Sequence, residues 1–167
     1  MDSIITPLLH SIFMVSQPLL ILIIKNNVIL DYSFLLFTYL TLLHWTFLNG
    51  ECIITYNYKK EQNSNYIPGE NLHSDEMSLV LNDYKYIIRF VIILTNILLM
   101  VGLYNLFNRN NISLFINYSF LILYEIYYYG LYFYTNHHKN KDFLLFQELI
   151  KKLILLWGIF FLYNLNI

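Results

Sequence analysis

The chain of 167 residues has room for one domain, and 13% charged against 57% hydrophobic residues falls well short of the roughly 25% charge of soluble domains. Its formal net charge is −1 and its ten Lys and Arg are scattered, so no basic stripe exists to neutralise a phosphate backbone, which argues against nucleic acid as a partner. A single cysteine, Cys52, excludes an intrachain disulfide and any Cys-x-x-Cys redox pair.

The start, Met1-Asp2-Ser3, lacks the basic region of a secretory signal, so the first apolar run is expected to remain as a helix. That run, residues 4–24, carries no charge and ends at Lys25-Asn26-Asn27; at 1.5 Å per residue it is long enough for a hydrocarbon core of roughly 30 Å. A second run, 28–48, follows at once with only Asp31 near its start and His44 near its end, and the short polar turn makes the two an antiparallel hairpin.

After Asn49-Gly50 the text turns polar, and 57–85 is read as a solvated loop that includes Lys59, Lys60, Glu61 and the Pro68-Gly69 turn. Ser74 with Asp75 and Glu76 marks a helix start before the third apolar run, 86–107. Asn108-Arg109-Asn110-Asn111 turns the chain into a fourth run, 112–134, and 136–141 turns it into a fifth, 143–163. Glu148, Lys151 and Lys152 interrupt the fifth run. Its first two turns can instead lie on the surface, with Gln147, Glu148, Lys151 and Lys152 on one face and Phe143, Phe146, Leu149 and Ile150 on the other. The expected fold is therefore an all-α, multi-pass transmembrane helical bundle of about five helices in one membrane domain, with four spans plus an interfacial helix as the rival.

Lys and Arg near the ends of short loops set orientation. Lys59, Lys60, Lys85, Lys139 and Lys141 fall on the side of the N-terminus and the 57–85 loop, against Lys25 and Arg109 on the other, which puts the N-terminus in the cytoplasm. Tyr56, Tyr58, Tyr84, Tyr86, Tyr132 and Tyr134 cluster at helix ends, where their hydroxyls reach headgroups.

Few residues could carry chemistry. His10 and His44 fall at depths within about 3 Å of each other in the hairpin, as two facing imidazoles that bind a metal or a haem iron would. The preferred reading is that each hydrogen-bonds a carbonyl or headgroup, and no metal or haem is assigned. His73, His137 and His138 fall on the same side but lack metal-site spacing. Around Gly50, His44, Glu51 and Cys52 crowd one helix end; if helical geometry continued, His44, Glu51 and Thr55 would share a face and could serve a thiol nucleophile. A polar helix terminus that satisfies its own freed carbonyls is the preferred alternative.

This segment also carries a resemblance. His44, Trp45, Asn49, Glu51, Cys52 and Thr55, followed by Lys59-Lys60, resemble a segment of uncharacterised small multi-pass membrane proteins encoded by large nucleocytoplasmic DNA viruses. The resemblance covers about seventeen residues and implies no activity; it agrees with a composition without alanine and rich in Ile, Leu, Asn, Tyr and Phe, as a very AT-rich genome writes.

Glu125 stands near the middle of the fourth run, where a carboxylate costs at least roughly 2.5 kcal/mol unless it is partnered, protonated or facing protein. Tyr118, Tyr129 and Tyr132 share its face, and Asn96 in the third run and Lys151 or Lys152 in the fifth lie at matching depth. A structural Glu125–Lys pair is preferred to a proton or ion relay. Three functions stay open: a non-enzymatic membrane component, which is favoured and includes a viral one; a small transporter or channel using Glu125; and a membrane enzyme or haem or metal protein using His10, His44, Glu51 and Cys52. The expected partner is the lipid bilayer, with a second copy or other membrane proteins left open.

Overall fold

A computed structural model of the chain describes residues 12, 15–24, 27–70, 85–133 and 139–165. Among them are six helices and no strand: α1 (15–23), α2 (Val28–Phe47), α3 (Ile53–Gln62), α4 (Lys85–Arg109), α5 (Leu114–Phe133) and α6 (Lys141–Leu165). The polar turns between apolar runs supply the caps. Asn27 Oδ1 accepts from Leu30 N–H at 3.1 Å, Ser113 Oγ from Ile116 N–H at 3.4 Å, and Asn140 Oδ1 from Asp142 and Phe143 N–H at 3.0 and 3.1 Å. Each satisfies donors that a first helical turn leaves without an intrahelical partner.

The contacts divide the chain into two compact units, Met1–Leu35 with His73–Asn111, and Leu36–Leu72 with Ile112–Ile167. In the first, Leu99, Leu103, Leu106 and Phe107 line the buried face of α4, and Ile21 of α1 packs where α4 has Gly102. A Cβ at Gly102 would sit 2.9 Å from Ile21 Cγ2, so the two helices approach through the missing side chain.

In the second unit, α5 and α6 form an antiparallel hairpin. Its register is fixed by Tyr127 against Phe146, Phe120 against Trp157, and Phe115 against Phe160, with ring centroids 6.2, 4.6 and 5.8 Å apart. The Trp157 indole N–H donates to Ile116 O and Ser119 Oγ at 3.2 and 3.1 Å, which satisfies the one polar atom of a buried ring. Residues 36–47 of α2 run antiparallel to α6, with Tyr39 beside Trp157, Thr46 beside Gln147 and Phe47 beside Lys151. Since α2 and α5 both run antiparallel to α6, they are parallel to each other, and Trp45 packs on Tyr124.

Some expectations change. Residues 53–62, mostly assigned to the solvated loop, form α3. The fifth run is, as preferred, one continuous helix through Glu148, Lys151 and Lys152, with Phe143, Gln147, Ile150, Ile154 and Trp157 buried at alternating spacings of four and three. Gln147 therefore belongs to the packed face, not to a polar face with Glu148 and Lys152. Val28–Phe47 and Phe90–Arg109 are each long and apolar enough to cross a membrane; α5 and α6, despite their length, fall short of that composition.

Candidate functional site

The segment that follows α2 folds back on itself around one carboxylate. Helix α2 stops at Phe47 because Asn49 and Gly50 adopt left-handed backbone, φ 52° and 88°, and the Gly50 N–H donates to Trp45 O at 2.8 Å. The turn carries Glu51 inward, where it is 2% exposed. Lys59, further along α3, places its Nζ 2.9 Å from Glu51 Oε1. The Tyr66 hydroxyl lies 2.8 and 3.0 Å from the two carboxylate oxygens, and the Gly69 N–H donates to Oε2 at 3.2 Å. Asn49 Nδ2 donates to Pro68 O at 2.9 Å, and Gly69 sits against Asn49 so closely that a Cβ there would be 2.5 Å from the Asn49 Cβ. Residues 49–51 and 66–69 are thereby stitched together over α3.

A second polar set joins this turn to the α5–α6 hairpin. Gln147 Nε2 donates to Thr46 O at 2.7 Å and to Asn49 Oδ1 at 2.9 Å, while the Tyr127 hydroxyl donates to Trp45 O at 3.0 Å. The carbonyls freed at the end of α2 are thus taken up by side chains from two other helices.

No known protein family, curated protein or solved structure matches the chain.

His44, Trp45, Asn49, Glu51, Cys52, Thr55, Lys59 and Lys60 fall in or beside this same turn. Asn49, Glu51 and Lys59 are its hydrogen-bonded centre, Thr55 is buried on α3, the Trp45 carbonyl receives two donors, and Lys60 Nζ reaches Tyr66 O at 3.4 Å.

As a catalytic set the residues do not assemble in the way continuous helical geometry would bring them. The break at residues 48–50 puts Glu51 off the face of His44, and the carboxylate is already held by an ammonium, a hydroxyl and a backbone N–H. Cys52 is half-buried at the N-cap of α3, and His44 Nε2 is buried without a hydrogen-bond partner among the described residues. His10, His73, His137 and His138 lie outside the described residues, so the paired imidazoles are not placed. Among the described residues no three His, Cys, Asp or Glu come together as metal ligands would.

The intramembrane polar set is dispersed. Asn96 is buried in the first unit; Glu125 is half-buried in the second, and Tyr118 and Tyr129 on its helix face are exposed. Lys151 makes its ion pair with Glu148 on its own helix and lies 5.0 Å from the centroid of the Phe47 ring, while Lys152 is exposed.

Two features went unread in the sequence. Asp31 and Arg109 form a buried two-point ion pair, for which the available signal was an acid and a base at the same end of neighbouring runs. Asn117 is fully buried with neither amide atom hydrogen-bonded among the described residues, and it carries no sequence signal beyond being polar in an apolar run.

Proposed function

We propose that the chain is a multi-pass integral membrane protein that crosses the bilayer five times with its N-terminus in the cytoplasm. It acts as a non-enzymatic membrane component of the kind encoded by large nucleocytoplasmic DNA viruses. The observation that carries the membrane reading is apolar exposure along charge-free helical stretches: Phe115 is 70% exposed, Ile159 66% and Leu156 61%, with Leu36, Phe37, Ile93, Ile97 and Leu162 also open. Water makes such continuous apolar surface unfavourable; hydrocarbon does not.

Orientation rests on the five Lys on one side against Lys25 and Arg109 on the other, and Arg109 is tied to Asp31. The non-enzymatic reading rests on Glu51, whose carboxylate is consumed by intrachain bonds. The test is extraction of membranes containing the full chain with alkaline carbonate, with labelling of single engineered cysteines in a Cys52→Ser background from each side. Retention in the pellet with cytoplasm-side labelling of the 63–70 loop is expected. Release into the supernatant, or labelling of that loop from the opposite side, overturns the reading. A Soret band or stoichiometric metal in the purified protein would replace the non-enzymatic part with the haem or metal alternative.

A further inference from the structure

The second unit keeps all of its charge at one end. Within Leu36–Leu72 and Ile112–Ile167 the charged residues are Glu51, Lys59, Lys60, Glu61, Glu70, Glu125, Lys139, Lys141, Asp142, Glu148, Lys151 and Lys152; 36–50, 112–124 and 153–167 have none. The helix register makes these three gaps coincide. Trp45 packs on Tyr124, which sets Glu125 level with the last turn of α2, and Phe47 lies against Lys151, which sets Lys151 at the same level. Glu125 and Lys151 thus lie level with the end of α2 and with each other.

Aromatic side chains mark the same level independently. Trp45 meets Tyr124, Tyr124 stacks on Tyr128, and Tyr128 meets Tyr129 edge-on, with centroids 6.3, 6.4 and 5.6 Å apart. A belt of Trp and Tyr next to the first charges is the signature of the boundary between hydrocarbon and headgroups.

We infer that the ring formed by Phe47, Trp45, Tyr128, Tyr129, Glu125 and Lys151 is the surface that meets the phospholipid headgroup layer. It follows that the first ten residues of α6 and the stitched turn 48–70 stand outside the hydrocarbon. This deepens the membrane reading above and rests on it. Below the ring, α6 offers 153–165 to the lipid, about 18 Å at 1.5 Å per residue, shorter than the roughly 30 Å core. Side chains on a helix lean toward its N-terminus, so Lys151 and Lys152 reach outward along α6 and let the acyl chains extend past their own Cα atoms, while the bilayer thins to cover the rest.

The test is spin labelling of the full chain in phosphatidylcholine vesicles, one cysteine at a time in the Cys52→Ser background. The exposed positions are Leu145→Cys, Leu149→Cys, Leu153→Cys, Leu156→Cys and Ile159→Cys on α6, with Tyr129→Cys and Ile122→Cys on α5. Collision with oxygen should exceed collision with a water-soluble nickel chelate at 153, 156, 159 and 122, and the order should reverse at 145 and 129. An oxygen-rich signal already at 145 and 129, in protein that resists carbonate, overturns the boundary and leaves the membrane reading standing. Nickel-rich signals at every position, in protein that carbonate releases, overturn both.

Discussion

Arg109 grips Asp31 at two points, its Nε donating to Oδ2 at 2.7 Å and its Nη2 to Oδ1, while Asn110 Nδ2 adds a third donor to Oδ2 at 2.7 Å. The carboxylate is 2% exposed, whereas the guanidinium keeps part of its surface open and can also reach Ile21 O at 3.3 Å. The two partners therefore differ in what they leave behind. Arg109→Ala strands a buried negative charge and should lower stability by about 3 kcal/mol, as loss of one partner of a buried pair does. Asp31→Asn should cost less, because the guanidinium retains other acceptors. Arg109→Lys loses the planar fork and should fall between. Denaturation in mixed micelles orders the three variants; equal losses for Arg109→Ala and Asp31→Asn would argue that the pair is solvated.

The Glu51–Lys59 pair is buried on both sides, with 1% and 6% of the side chains exposed. Lys59→Met removes the ammonium from Glu51 while Tyr66 and Gly69 still donate to it, and should cost about 3 kcal/mol and release the 63–70 loop to protease. Glu51→Gln combined with Lys59→Met should recover part of that loss, since no isolated charge then remains inside. A double variant no better than Lys59→Met alone would refute a charge-based role.

The helical class and the outer limits of α2 and α4 were open to reading because long charge-free runs between Asn-rich turns leave few alternatives. Helix α3 was not, because Lys59 looks solvated by composition; it is buried only because Asn49 and Gly50 reverse the chain and bring Glu51 back to it. The polarity of α6 misled for a related reason. Gln147 sits beside Glu148 in sequence, yet its amide is the partner of the Thr46 carbonyl and the Asn49 side chain about a hundred residues away, and no local period reports that. That Glu125 lies level with the end of α2 depends on the pairing of α2 with α5, which is tertiary information.

Cys52 occupies the N-cap of α3 with extended backbone, φ −71° and ψ 142°, and makes no side-chain cap hydrogen bond. The geometry suits a short oxygen acceptor. Cys52→Ser should raise stability by about 0.5–1 kcal/mol while leaving insertion unchanged, so it doubles as the background for labelling. A loss of stability in this variant would show that the thiol has a packing role a hydroxyl cannot fill.

Asn117 hides a whole amide inside the second unit with no hydrogen-bond partner for Nδ2 or Oδ1 among the described residues. An unsatisfied buried amide of that kind costs about 1–3 kcal/mol. Asn117→Leu, similar in size and free of that penalty, should raise the unfolding midpoint in detergent. A lowered midpoint would mean that the amide is satisfied in the membrane by water or by another chain.

Gln147 tests how the turn after α2 is held to the hairpin. Its Nε2 supplies both donors of the contact, to Thr46 O and Asn49 Oδ1, and its Oε1 lies 3.5 Å from the Tyr127 hydroxyl. Gln147→Leu keeps the volume and removes the donors, leaving the Thr46 carbonyl buried without this partner, and should cost about 1–3 kcal/mol. Gln147→Glu is the sharper change. At pH 7 it sets a carboxylate against two acceptors, so repulsion is added to the lost bonds, and the loss should exceed that of the leucine variant. Burial and repulsion raise the pKa of the introduced carboxyl in the folded chain above the roughly 4.3 of an exposed glutamate, so as pH falls from 7 toward that value it binds a proton, the repulsion ends and one donor returns. The deficit of Gln147→Glu relative to the parent, measured at each pH, should therefore shrink as pH falls, while that of Gln147→Leu stays flat. A glutamate deficit independent of pH would show that residue 147 is held by packing alone.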